Sequence, residues 1–234
     1  MLEARIVRRR AAFTVDAALR VESGGALALF GASGAGKSTV LSCLAGLETP
    51  DDGFARLDGL TLFPPPLALH RRPIGYLTQD AALFPHLTVA QNVRFAVDGA
   101  REGPRRREAW LEELRDRLRL HAIWDTGATR ISGGQARRVA LARMLARRPK
   151  LVLLDEPFTG LDRHLVRSLL DDLVAWRAAL GFTLLVVDHQ PAILERLADR
   201  VAVIEDGRLV QTAGWAELRA APATALLRDL LAPL

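Results

Sequence analysis

Lysine is almost missing from this chain: of 32 basic residues only Lys37 and Lys150 are lysine, and the rest are arginine. There is one cysteine and one tyrosine, and aromatics make up 6% of the sequence. Cys43 cannot form a disulfide within the chain, which agrees with a reducing compartment, and its place in an apolar helical run marks it as a small buried residue. Long apolar runs are missing as well. Runs such as Leu184 to Val187 fall far short of the ~20 residues that cross a bilayer. The start, MLEARIVRRRAAF, is charged but has no apolar stretch long enough for a secretory signal. A cytosolic chain is expected, with any membrane attachment supplied by another subunit. The net charge of +5 raises nucleic-acid binding as a reading. The arginines, however, are scattered in short groups (Arg8 to Arg10, Arg105 to Arg107, Arg147 and Arg148) with no aromatics between them. Solvated helix faces account for such a distribution, so no nucleic-acid partner is expected.

With 234 residues, 50% of them apolar, the chain can bury a core as one domain. Short apolar runs at Ala26 to Phe30, Leu151 to Leu154, Thr183 to Val187 and Val201 to Ile204 read as strands covered on both faces. They alternate with helical stretches, the pattern of an α/β fold with a parallel sheet. The first 22 residues alternate more loosely (Phe13, Val15, Ala17, Leu19, Val21) and predict antiparallel strands beside that sheet. From about Ala81 to Arg148 no strand pattern is visible. Glu108 to Leu120 has helical spacing, with Leu111, Leu114 and Leu118 on one face. The reading is a core of about 1–80 and 149–234 with a helical subdomain, 81–148, inserted in it. Pro64 to Pro66 and Gly99 to Pro104 read as loops, and Trp215 to Leu231 as an amphipathic helical tail packed on the core.

Gly31-Ala-Ser33-Gly34-Ala35-Gly36-Lys37-Ser38 fits G-x-x-x-x-G-K-[ST], after the strand Ala26 to Phe30 and before a helical run, Thr39 to Leu47. Glycines at these positions let backbone N–H groups point at phosphate oxygens, and the helix N-terminus adds its positive end. Lys37 is placed to neutralise β- and γ-phosphates, and the Ser38 hydroxyl is a hard oxygen ligand for Mg²⁺. A glycine-rich turn that binds nothing is the bland alternative, and the flanking strand and helix weigh against it.

Leu151-Val-Leu-Leu-Asp155-Glu156 is an apolar strand ending in two acids. A strand that ends at the carboxyl edge of the sheet puts its last residues beside the phosphate loop. Asp155 is then placed to hold Mg²⁺ opposite Ser38. Glu156, turned the other way, is placed to take a proton from an attacking water.

The segment Ile131-Ser132-Gly133-Gly134-Gln135, continuing as ARRVALARML, resembles the L-S-G-G-Q signature of the ABC ATPase family, with Ile131 in place of Leu. The resemblance runs from the first strands to about Gly214. It implies a P-loop NTPase core that binds ATP and Mg²⁺ at Gly31, Ser33, Gly34, Ala35, Gly36, Lys37, Ser38 and Thr39. It further implies that Ser132, Gly133, Gly134 and Gln135 act in trans, closing over the γ-phosphate of the opposite subunit in a head-to-tail dimer. Gln79 in Tyr76-Leu-Thr-Gln-Asp resembles the glutamine that touches Mg²⁺ or the water. Asp162 in Thr159-Gly-Leu-Asp resembles the D-loop acid that crosses the dimer interface. His189 resembles the histidine that contacts the γ-phosphate, although Asp188 precedes it where Thr or Ser is commoner, and Ala136 replaces a basic or polar residue. Phe13 is the only aromatic before Phe30; it is either the adenine-stacking residue or part of a strand core.

Ile74 to Val93, IGYLTQDAALFPHLTVAQNV, resembles the same region of bacterial importer ATPases, above all those for molybdate and related oxyanions. This implies a peripheral subunit on the cytoplasmic face of the cell membrane, paired as a homodimer or heterodimer. Its membrane permease would seat a helix near Phe84, Pro85, His86 and Leu87, with a solute-binding protein as indirect partner. Sulfate, thiosulfate, thiamine, iron and polyamine importers stay open, as does a lipid or cell-division complex. The C-terminal sensing domain that such importers often carry is not expected here. Ser38 to Ser132 leaves no room for the long coiled coil of repair and chromosome ATPases, and N-K-x-D, the guanine motif of GTPases, is missing.

Overall fold

The computed structural model describes residues 1–10, 13–97 and 103–231. The first two strands, β1 (Leu2–Arg9) and β2 (Thr14–Val21), pair antiparallel from Leu2↔Val21 to Arg9↔Thr14. Then come β3 (Ala26–Phe30), helix α1 (Lys37–Ala45), β4 (Asp52–Leu57), β5 (Leu60–Phe63) and β6 (Ile74–Leu77). Helices α2 (Val89–Phe95), α3 (Pro104–Arg117) and α4 (Gly133–Ala146) follow, and then β7 (Leu151–Asp155). The chain continues through α5 (Arg163–Leu180), β8 (Thr183–Val187), α6 (Pro191–Leu197), β9 (Arg200–Glu205), β10 (Arg208–Gly214), α7 (Trp215–Ala220) and α8 (Ala225–Leu231). The strands form one sheet in the order β5-β4-β1-β2-β10-β9-β3-β8-β7-β6. Its half from β9 through β3, β8 and β7 to β6 is parallel, with the apolar runs read from sequence at its centre. Strand β10 pairs antiparallel with β9, and the antiparallel strands β5, β4, β1 and β2 join β10 through a single parallel bridge, Arg208↔Asp16.

The alternation of a strand's side chains divides the core between the two faces of the sheet. On β7, Leu151 and Leu153 belong to the cluster that holds Leu41 and Leu44 of α1, whereas Val152 and Leu154 belong to the cluster on the helical side. On β8, Leu185 and Val187 take the first face, and Leu184 and Val186 the second. This is why these strands are apolar without interruption. Each fully buried leucine contributes about 1.5–3 kcal/mol over its exposed state.

Between α2 and α4 the described residues hold no strand beyond the isolated bridge Thr88↔Gly127. Leu111, Leu114 and Leu118 are all buried, in one cluster with Trp176 of α5 and Val186 of β8. The helical block therefore shares its core with the sheet.

Four differences from the sequence reading have local causes. Phe13 precedes β2 instead of belonging to it. Pro104 is the first residue of α3, where its missing N–H costs no helical bond, while 99–102 of the stretch read as a loop lie outside the described residues. The phosphate-loop helix ends at Ala45, capped by Gly46, so Leu47 is outside it. The tail is two helices, α7 and α8, because Pro222 lacks a donor and pushes Ala221 out of the helical region (φ −141°, ψ 70°). Among the described residues no helix is long and apolar enough to cross a membrane.

Candidate active site

The phosphate loop begins where β3 ends. Gly31 follows with φ 151°, and a Cβ there would lie 2.1 Å from the carbonyl oxygen of Ile204 on β9. Gly36, at φ 104°, caps α1, and a Cβ on it would press to 2.7 Å on Cγ2 of Val15. Only glycine fits either place. The loop therefore turns between β9 and β2 and delivers Lys37 and Ser38 at the positive end of α1. Nζ of Lys37 donates to the carbonyls of Gly31 (2.8 Å) and Ala32 (2.7 Å). Burial lowers its pKa, against the attraction of Glu156 and Asp155.

A cleft of ≈ 540 Å³ opens beside this loop. Ser33, Gly34, Gly36, Lys37, Ser38 and Thr39 line one side, and Gln79, Asp155 and Glu156 the other. These segments come from the β3–α1 loop, the chain after β6 and the end of β7, which adjoin because β7 lies between β6 and β8 in the sheet. Asp155 is 5% exposed. Glu156 sits at φ 47°, a strained place for a non-glycine residue, and its N–H donates to Val187 at 2.9 Å. The donors facing the cleft, a serine hydroxyl, an amide oxygen and a carboxylate, are hard oxygens. They fit Mg²⁺, which keeps waters and substrate phosphates and does without a full protein cage.

Ala35 is buried, its carbonyl accepting from Gly207 at 3.1 Å, and it stays out of the cleft lining, as does Gly31. His189 also lies outside the lining; its side chain is 66% exposed, with Nδ1 3.6 Å from Oδ1 of Asp188. Asp188 is buried, which raises its pKa, and Oδ1 accepts from the N–H of Gln190 at 2.9 Å at the start of α6.

Ser132, Gly133, Gly134, Gln135 and Asp162 do not meet the cleft either. Ser132 caps α4: its Oγ accepts from the N–H of Gln135 (3.3 Å), and Oε1 of Gln135 accepts from the N–H of Ser132 (2.8 Å). The side chain of Gln135 is engaged in this box, and Ser132 and Gly133 at the helix start are exposed. Gly134 packs on Gly160, whose oxygen would lie 3.0 Å from a Cβ. Asp162 caps α5 by accepting from Leu165 at 2.9 Å, a bond that lowers its pKa.

Three residues around the cleft escaped the sequence reading. Arg10 lines it and donates to Glu48 (2.7 Å) and Thr39 Oγ1 (3.4 Å). Tyr76, the lone tyrosine, donates to Oδ2 of Asp155 at 3.3 Å. Arg137 on α4 bonds to the backbone of both acids. No local signal marks any of them, because each acts on a segment remote in the chain. Phe13 lines the cleft beside Gly36 and also packs on the sheet core.

A second groove, ≈ 510 Å³, runs along β6. Phe84, Phe95, Met144, Arg143 and Arg147 line it. The rings of Phe84 and Phe95 are 4.6 Å apart, and the Arg143 guanidinium lies 5.1 Å from the Phe84 ring centre. Phe95 is 56% exposed. Of the four residues expected here, Phe84 lines the groove, and Pro85, His86 and Leu87 do not.

A glycine-built phosphate loop between a parallel strand and a helix, with two acids at the end of β7, the next strand but one in the sheet, defines the P-loop class of nucleotide-binding α/β proteins. The ABC transporter family pattern matches residues 15–159, and the chain belongs to that family. It is 43% identical over 209 residues to the Fe(3+) ions import ATP-binding protein FbpC of Pseudomonas fluorescens, covering 87% of this chain and 57% of that protein. To the molybdenum import ATP-binding protein ModC of Aromatoleum aromaticum it is 39% identical over 215 residues, covering 89% and 56%. The chain thus spans little more than half the length of these relatives. A dimeric bacterial ABC transporter cassette superposes with a TM-score of 0.80 at 25% identity, covering 92% of this chain and 98% of that one.

Proposed function

We propose that this chain binds ATP with Mg²⁺ in the cleft and, paired head to tail with a second cassette, hydrolyses it to power a membrane importer. The observation that carries the reading is the division of the site. The phosphate loop, Gln79, Asp155 and Glu156 share one cleft, while the capped N-terminus of α4 faces solvent away from it. A helix start built to receive an anion, with no place in its own cleft, fits a γ-phosphate held by a neighbour. The dimeric cassette of similar fold supports a paired state.

Lys37 and the loop N–H groups hold the β- and γ-phosphates, and Phe13 stacks on adenine. Ser38, Asp155 and Gln79 would hold Mg²⁺, which offsets phosphate charge. Glu156 accepts a proton as the water oxygen bonds to the γ-phosphorus and the bond to the β-phosphate oxygen breaks. His189 turns in toward the γ-phosphate when the partner closes; Asp162 acts across the interface. The helical block 81–148 moves on closure and presses on a permease helix seated in the Phe84–Phe95 groove, with the subunit peripheral on the cytoplasmic face. The cargo proposed is molybdate or a related oxyanion, supported by the segment 74–93 and the molybdenum relative. Iron is the second reading, supported by the relative at 43% identity. The ligand of the associated solute-binding protein decides between them.

The test of the ATPase is Glu156→Gln. This variant should bind ATP as the wild type does, stop turnover and trap an ATP-bound dimer. Hydrolysis at the normal rate would remove Glu156 as the base.

A further inference from the structure

Arg137 is the most heavily engaged cation near the cleft, and the reading above gives it no task. It is 4% exposed, in the second turn of α4. A guanidinium has five N–H donors, and here they reach five main-chain carbonyls. Nε donates to Pro157 (3.1 Å). Nη1 donates to Thr78 and to Gln79 (2.6 Å). Nη2 donates to Asp155 (2.7 Å) and to Glu156. Those carbonyls belong to two segments: the chain after β6, which carries Gln79, and the end of β7, which carries Asp155 and Glu156.

Carbonyl oxygens could be satisfied by water at no cost in charge burial, whereas burying a guanidinium is costly: burial lowers the pKa of Arg137, against the attraction of Asp155, Glu156, Asp80 and Asp188. A side chain that accepts that cost while bridging two loops fixes their relative position. One of them needs fixing, because Glu156 holds a left-handed backbone that persists only where its surroundings over-determine it. Since α4 is a continuous helix, the same bonds also fix both loops relative to Ser132 at its start.

We propose that Arg137 is a positioning residue for hydrolysis: its fork holds Gln79 and Glu156 in one register and ties both to the signature helix. The proposal rests on the ATPase reading, and it predicts that losing Arg137 harms turnover more than nucleotide binding, since the phosphate loop makes no bond to it.

The experiment compares the purified full chain with Arg137→Ala and Arg137→Lys, measuring ATP affinity, the number of binding-competent sites and kcat per such site. In Arg137→Ala, kcat per site should fall on the order of 100-fold, the size of loss that small misplacement of reacting groups produces, with ATP affinity little changed. Arg137→Lys keeps the charge and loses the fork, so it should show a smaller loss of the same kind. If the alanine variant does not fold, the lysine variant carries the test. An unchanged kcat per site, or a loss explained wholly by fewer competent sites or weaker ATP binding, overturns the proposal. If the wild type itself does not hydrolyse ATP, the ATPase reading has failed and the proposal falls with it, an outcome distinguished by the inactive parent.

Discussion

The contact between Tyr76 and Asp155 offers a sharp test of how the carboxylate proposed for Mg²⁺ is held. The Tyr76 hydroxyl donates to Oδ2 at 3.3 Å, and burial first of all pushes its pKa up to about 12. It therefore remains a donor at any working pH. A hydrogen bond to a charged group contributes about 1.5–3 kcal/mol, but 3.3 Å is beyond the usual ~2.5–3.0 Å of an O–H···O bond. The contribution belongs just below that range, about 1.4 kcal/mol, which is a factor of ten. Tyr76→Phe removes this bond, and with it the hydroxyl's contact with Ser42, and keeps the ring. Asp155, 5% exposed, then has a freer carboxylate that must be ordered by the metal itself. At saturating ATP, the free Mg²⁺ giving half-maximal hydrolysis should rise about tenfold, at the low end of what loss of an outer partner of a metal ligand costs. Binding of a fluorescent ATP analogue without Mg²⁺ should not change. An unshifted Mg²⁺ titration refutes the reasoning, and so does an equal loss of Mg²⁺-free binding, because the phenol would then be supporting the cleft as a whole.

Ser132→Arg places a long cation at the exposed helix start; it should abolish hydrolysis while monomeric ATP binding persists, and retained turnover would argue against a signature acting in trans. Leu185→Ala on β8, fully buried, should cost about 2–5 kcal/mol and lower the Tm in calorimetry by about 2–4 °C for each kcal/mol. Asp172 on α5 is buried with one carboxylate oxygen lacking a partner, and burial raises its pKa although Arg117 opposes this. Its folded pKa lies above its unfolded one, so stability falls as pH rises from the ordinary carboxylate range through the raised value. Asp172→Asn should therefore raise Tm at neutral pH, and the gain should shrink on acidification; a pH-independent difference would show that the carboxylate's charge is not the cause.

Features that repeat or cluster within a few residues were legible in the chain. The glycine spacing around Gly31 and Gly36, the apolar strand ending in Asp155 and Glu156, and the serine that caps α4 are local and carry their own physical reasons. The four central strands were readable because both of their faces are covered, which forces unbroken apolar runs. Strands β4 and β10 were not, since they mix charged and small residues on half-exposed faces, as in Asp52–Leu57 and Arg208–Gly214, and β5 has only four residues, Leu60–Phe63. Strand β6 is too short to show a period.

The site divides along the same line. Sequence by itself determined that a phosphate loop, an acid pair and a signature-like helix start exist, because each is a matter of spacing along the backbone. Tertiary structure brings the first two into one cleft with the third outside it, as the strand's ending and the family resemblance implied, and it alone decided that Arg10 borders the cleft and that the signature helix reaches the acids through Arg137. Sheet order governs these meetings: β7 puts its carboxyl end beside the loop after β3 and the segment after β6, and no residue pattern records which ends become neighbours. One arginine among many carries no sign of its partners until packing takes it out of water and leaves it only carbonyls to bind.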